Sequence, residues 1–101
     1  MKAVVFSGTT EGRQFSKILA NLGAEVLVSV ATEIGAEEQD ENENITIHVG
    51  RCTAAEMAKL LHGASICVDA THPYATEATR TICEACETTG VEYHRLLRTE
   101  S

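Results

Sequence analysis

Ala64-Ser-Ile-Cys-Val-Asp-Ala-Thr-His-Pro-Tyr-Ala75 is a short apolar run that ends in an acid, followed by a polar turn holding the only proline of the chain. Ile66, Cys67 and Val68 suit a buried strand. A proline costs nothing in the first turn of a helix, where its N–H has no intrahelical acceptor, so Pro73 predicts that a helix opens there. The stretch therefore reads as strand, tight turn, helix. It gathers Asp69, Ala70, Thr71, His72, Pro73 and Tyr74 beside unpaired backbone N–H groups, a natural place for a ligand.

The same grammar recurs outward from this point. Residues 2–7 are a continuous apolar run ending at Gly8, the pattern of a buried parallel strand. Phe15, Ile18, Leu19 and Leu22 then form one helical apolar stripe, closed by Gly23. Residues 25–31 make a second strand, 32–44 an acidic exposed loop, and 45–49 a third strand closed by Gly50. Thr53 and Glu56 have capping-box spacing before a helix with Ala54, Met57, Ala58 and Leu61 on one face, stopping at Gly63. Strand four covers 64–69. A third helix is expected from Pro73 to about Thr88, with Ala75, Ala78, Thr79, Ile82, Cys83 and Cys86 inward and Gly90 at its end. Residues 92–97 make a fifth strand. Strands alternating with helices predict one α/β domain over 1–101, a Rossmann-like, doubly wound parallel five-stranded sheet of order 3-2-1-4-5.

In that order strands one and four are neighbours whose following helices lie on opposite faces, and ligands bind at such a switch point. The polar turns 8–13 and 69–74 occupy those strand ends, and Gly50-Arg-Cys52 leaves strand three on the same edge. Gly8-Thr-Thr-Glu-Gly12 departs from the G-x-G-x-x-G fingerprint. Gly8 nonetheless permits a tight turn, and a helix N-terminus with Thr9 and Thr10 can hold phosphate. The bland alternative is a simple threonine cap. After strand two no carboxylate occurs before Glu33, so Thr32, with Ser29 or Arg51, suits a 2′-phosphate and tilts the reading from NADH towards NADPH. Arg51 also reads as a surface partner of the acidic loop. His72 is a candidate ligand group that Asp69 can orient, though an acid at a strand end often only caps the next turn. Tyr74 is better suited to lining a pocket than to acting as an acid.

Composition narrows the partners. The net charge is −7, and Glu37, Glu38, Asp40, Glu41 and Glu43 supply five negatives within seven residues, leaving −2 for the rest. Neither nucleic acid nor an anionic membrane rewards such a surface. No apolar run approaches the roughly 18–20 residues that span a bilayer, and the first six residues read as a strand rather than a signal peptide. Four cysteines in an α/β pattern fit a reducing cytoplasm. Cys83 and Cys86 lie late in a helix on its apolar stripe and read as packing, not as a redox pair. No metal-ligand spacing is present.

Gly8-Thr-Thr-Glu11, Val28-Ser-Val-Ala-Thr32, Gly50-Arg51 and Asp69-Ala-Thr-His-Pro-Tyr-Ala75 together resemble the amino-terminal half of the precorrin-6A (precorrin-6x) reductases of cobalamin biosynthesis, including the cobalt-precorrin-6A branch. The resemblance spans essentially all 101 residues. It implies reduction of one macrocycle double bond by NADPH or NADH, with the tetrapyrrole in a cleft between two α/β domains. It implies that Gly8, Thr9, Thr10 and Glu11 face cofactor phosphate or ribose. Residues 69–74 would line the cleft, with Asp69, Ala70 and Thr71 towards the cofactor and His72, Pro73 and Tyr74 towards the substrate. His72 is the candidate proton donor, with water as the alternative. The family's second domain does not follow the fifth strand here, so it is the expected partner, and the chain alone is expected to bind nicotinamide nucleotide weakly if at all and to be inactive. A non-catalytic nucleotide-binding or assembly module using the same crevice is the alternative. A small hydrolase lacks a Ser or Cys nucleophile at a strand-to-helix elbow.

Overall fold

The computed structural model describes residues 1–32 and 42–96. Its elements are β1 (Lys2–Phe6), α1 (Thr10–Asn21), β2 (Glu25–Val30), β3 (Ile45–Val49), α2 (Ala54–Leu61), β4 (Ile66–Asp69), α3 (Thr76–Thr89) and β5 (Glu92–Arg95). All strand pairs are parallel and the order is β3-β2-β1-β4-β5, as the alternating pattern predicts.

Central β1 explains why its sequence is apolar without alternation. Successive strand side chains point to opposite faces, and both faces of this sheet are covered. Val4, Phe6 and Cys67 pack against Met57 and Leu61 of α2 and Ile82, Ala85 and Cys86 of α3. Val5, Val26, Val28, Val30, Val68 and Ala70 face the other way, with Ala20, Phe15 and Leu19 of α1 over them. Thr53 and Glu56 form the capping box that starts α2. All four cysteines are free, and Cys86 is buried in the core as its place on the apolar stripe predicts.

Two local expectations are corrected. The helix expected from Pro73 opens at Thr76 instead, with Ala75 as its cap residue. Pro73 sits in a separate turn closed by Ala75 N–H donating to the His72 carbonyl at 2.9 Å. The fixed φ of proline suits the second position of a β-turn as well as the first turn of a helix, so the residue type alone does not separate the two. The second correction concerns α1. Its buried residues are Gly12, Ser16 and Ala20. Of the expected stripe, Phe15 and Leu19 are half-buried at the flank, whereas Ile18 and Leu22 stay 56% and 79% exposed. Small residues let the helix approach the sheet closely, which turns the larger ones outward.

Most of the acidic loop, residues 33–41, lies outside the described residues, as do 97–101. The end of that loop is anchored. Asn44 Nδ2 donates to the Ala20 carbonyl at 3.0 Å and Asn42 Nδ2 to Asn21 Oδ1 at 3.0 Å, fixing the entry to β3 against the end of α1.

Candidate functional site

The turn after β1 is built to bring a helix end against two strand ends. Thr9 is the N-cap of α1: its Oγ1 accepts from Gly12 N–H at 3.2 Å and donates to the Ala70 carbonyl at 2.8 Å. One hydroxyl therefore caps the helix and ties the two turns together. Gly12 is where the approach is closest. A Cβ there would lie 2.6 Å from Ser7 Oγ and 2.8 Å from Ala70 Cβ. Spacing to the dinucleotide fingerprint does not single out Gly12, yet it takes the close-packing role of that motif's last glycine. The signal available in the sequence was its place one turn inside the helix, on the line later shared by Ser16 and Ala20.

Gly8 behaves differently. It does not have a positive φ, and a Cβ built on it meets nothing within 4 Å. Neither chain conformation nor internal packing requires glycine here, so a tight turn is not its reason. What remains is room at the strand end. Beside it Ser7 Oγ is buried and has no hydrogen-bond partner.

The strand ends open into a cleft of about 630 Å³. Gly8 of the β1 turn, Ser29 and Val30 of β2, and Arg51 and Cys52 after β3 form one side. Thr71, His72 and Tyr74, with the first turns of α3, form the other. Gly50 makes the corner after β3, with φ 122° and its N–H on the Val30 carbonyl. Of the residues singled out from sequence, Gly8, Arg51, Thr71, His72 and Tyr74 line this cleft. Thr9, Thr10 and Glu11 lie in the first turn of α1 instead, with Thr9 engaged as described. Thr32 is exposed just past β2, Ala70 is fully buried, and Pro73 is exposed on the turn.

Asp69 is a hub rather than a cleft wall. It is fully buried at the end of β4. Its Oδ1 accepts from Thr71 N–H at 3.1 Å, Thr71 Oγ1 at 2.6 Å and Arg95 Nη1 at 3.0 Å. Its Oδ2 accepts from Thr79 Oγ1 at 2.7 Å and Tyr93 OH at 2.8 Å. Burial pushes this carboxyl up, but the hydrogen bonds from Thr71, Thr79 and Tyr93 outweigh it and hold it below the ordinary carboxylate range. Burial and the Asp69 charge push the Tyr93 phenol up, so it remains a neutral donor. Arg95 and Tyr93, both on β5, were not visible as site residues because only strand pairing brings them opposite Asp69 and Cys67.

The turn that Asp69 organises ends in an exposed aromatic pair. His72 and Tyr74 have ring centroids 5.1 Å apart, and Tyr74 is 87% exposed. Tyr74 N–H donates to His72 Nδ1 at 3.2 Å. The neutral ring therefore carries its proton on Nε2. Cys52 is no activated nucleophile, since burial and nearby Glu56 push its thiol up.

Comparison with known proteins agrees with this architecture. The chain is 30% identical to a cobalt-precorrin-6A reductase of Synechocystis sp. over 96 residues, 93% of this chain and 37% of that protein. It is 30% identical to the cobalt-precorrin-6A reductase of Priestia megaterium over 97 residues, 94% of this chain and 38% of that protein. Among solved structures, a CobK precorrin-6A reductase superposes with a TM-score of 0.81 at 29% identity, covering 98% of this chain and 39% of that one. A Rossmann-fold NAD(P)-binding family protein from Shigella flexneri shares the fold alone, with a TM-score of 0.73 at 14% identity. The chain thus spans well under half the length of these reductases. A family profile described as precorrin-6x reductase CbiJ/CobK matches residues 2–101, and the chain belongs to that family.

Proposed function

We propose that this chain is the cofactor-holding part of a nicotinamide-dependent reductase that reduces a double bond of the precorrin-6A macrocycle in cobalamin biosynthesis, in the cytoplasm. The observation that carries the reading is the cleft at the β1–β4 switch point, with open space over Gly8. A glycine required by neither φ nor packing fits the close approach of a cofactor phosphate to backbone. The N-terminus of α1 adds a positive dipole end beside it. Gly8, Thr10 and Glu11 would hold phosphate or ribose, with Thr9 setting the shape of the turn. Thr71 would border the cofactor, Ala70 and Asp69 supporting it from below. When bound, a reduced nicotinamide supplies the hydride.

The chain's own residues orient and enclose. His72, Pro73 and Tyr74 form the rim that would meet the flat tetrapyrrole. In its neutral form His72 presents Nε2–H as a hydrogen-bond donor. As the candidate source of the proton that accompanies reduction it would act from the imidazolium form, giving up the Tyr74 N–H contact at Nδ1. Arg51 on the β3 side, with Thr32, favours NADPH over NADH by offering a 2′-phosphate a cation and a hydroxyl. The relatives continue well beyond the length matched here, and a following domain would close the cleft and complete the site.

Titration with NADPH, NADH, AMP and CoA tests the reading: reduced nicotinamides bind in preference to AMP and CoA, and NADPH in preference to NADH. Arg51→Ala is expected to cut the NADPH-over-NADH preference by about tenfold, the loss of one charge-assisted contact. Equal binding of all four ligands would support the assembly-module alternative. Gly8→Ala is expected to leave the melting temperature unchanged while weakening dinucleotide binding, and a loss of folding would overturn the ligand-space argument. Residues 1–101 alone are expected not to turn over precorrin, which an assay of the isolated chain against a chain extended through the next domain decides.

A further inference from the structure

We propose that Arg95 is a positioning residue: acting through Asp69 and Thr71, it sets the turn that carries His72 and Tyr74 on the rim of the cleft. This rests on the reading of that rim as the substrate side of a reductase. His72 and Tyr74 are exposed, and the contacts that define their arrangement are local: the Tyr74 N–H on His72 Nδ1, the ring pair, and Ala75 N–H on the His72 carbonyl. What anchors this turn to the fold is the residue before it. Thr71 is held at three points: its amide and its hydroxyl donate to Asp69 Oδ1, and its carbonyl accepts from Arg95 Nη1 at 2.9 Å.

The carbonyl contact is the informative one. The Thr71 carbonyl belongs to the same peptide plane as His72 N, so holding it fixes the direction in which the chain enters the rim. The same Nη1 lies 3.0 Å from the Asp69 carbonyl, 3.0 Å from Asp69 Oδ1 and 3.3 Å from Thr71 Oγ1. Two protons on one nitrogen thus serve four acceptors, all at the root of the turn. Arg95 reaches them because β5 pairs in register with β4, Asp69 opposite Arg95, and both side chains point to the α3 face. Tyr93 makes a useful contrast. It also donates to Asp69, at Oδ2, and that hydrogen bond does not reach the Thr71 carbonyl. Loss of Tyr93 OH loosens the hub and leaves the rim; loss of Arg95 frees the rim.

The test compares Arg95→Gln with Tyr93→Phe in the 101-residue chain, well below the melting temperature of either. Long-range ¹H–¹⁵N correlations read the His72 tautomer, and cross-relaxation between the His72 and Tyr74 rings reads their contact. Arg95→Gln is expected to mix the tautomers and lose the ring contact, whereas Tyr93→Phe keeps both. If Arg95→Gln does not fold, the double variant Asp69→Asn/Arg95→Met removes the unpaired buried charge and is expected to lose the same signature. A rim unchanged by loss of Arg95, or disturbed equally by Tyr93→Phe, overturns the proposal. An NADPH titration separates this from the functional reading. If a chain extended through the next domain shows no saturable NADPH shifts, the functional reading fails while the rim signature still decides the role of Arg95. If it binds, Arg95→Gln is expected to weaken binding by about tenfold, as misplacement of a lining segment does.

Discussion

Asp69→Ala is expected to lower the unfolding free energy of this chain by about 3–5 kcal/mol, the cost of breaking a buried, hydrogen-bonded ion pair. A domain is held together by only about 5–15 kcal/mol, so the variant loses a large share of the chain's stability. The reason lies in what the substitution strands. Tyr93 OH, Thr79 Oγ1, the Thr71 hydroxyl and amide, and the largely buried Arg95 guanidinium all lose one common acceptor. Asp69 is the one fully buried charged side chain among the described residues, so no neighbouring carboxylate replaces it. The same residue predicts an acid limb of stability. Its carboxyl is held below the ordinary range in the folded chain. Its stabilisation is therefore complete above the unfolded-state value, about 4, and is lost as pH falls through the lower folded-state value. In urea denaturation of wild type and Asp69→Asn, followed downward from roughly pH 7, the stability gap should begin to narrow as pH falls below about 4. Parallel curves across that range would remove Asp69 as the acid-sensitive group.

Gly12→Ala is the second large expectation, and its sign is what makes it informative. In an open helix position the change from glycine to alanine stabilises by up to about 1 kcal/mol. Here the new methyl would sit 2.8 Å from Ala70 Cβ and 2.6 Å from Ser7 Oγ. The Ser7 hydroxyl can rotate away, but a Cβ moves only with its backbone. Either α1 lifts or the end of β4 shifts, so the substitution is expected to destabilise by about 1–3 kcal/mol. It should also weaken the Thr9 Oγ1 bond to the Ala70 carbonyl, which depends on the same close approach. Ala70→Gly in the Gly12→Ala background should recover most of the loss, giving a coupling energy of about 1 kcal/mol or more by double-mutant cycle in thermal or urea melts. Additive effects of the two changes would show that the contact does not set the position of the helix.

Much of the architecture was legible because it rests on short-range pattern. The apolar runs, the glycines at the helix ends and the Thr53–Glu56 capping box each act over a few residues, and alternation of strand and helix leaves little choice of topology. The place of the cleft followed from topology too, since turns after strands one and four must meet at the switch point. The errors lie where two geometries share one residue preference. Pro73 suits a turn as well as a helix start, and the α1 stripe had the right period but pointed its smallest residues at the sheet.

The division of labour between the two polar turns belongs to the tertiary structure alone. A composition-and-spacing view places Asp69 among cleft residues and Gly8 in a tight turn. The folded chain buries Asp69 as an anchor for Thr71, Thr79, Tyr93 and Arg95, and leaves Gly8 facing open space. Arg95 lies 26 positions from Asp69 in the chain and becomes its partner only through the β4–β5 register. Periodicity is a local property and survives in the amino-acid order. Which carboxylate is satisfied from within, and which glycine is left for something outside, depends on side chains brought together by parallel strand pairing.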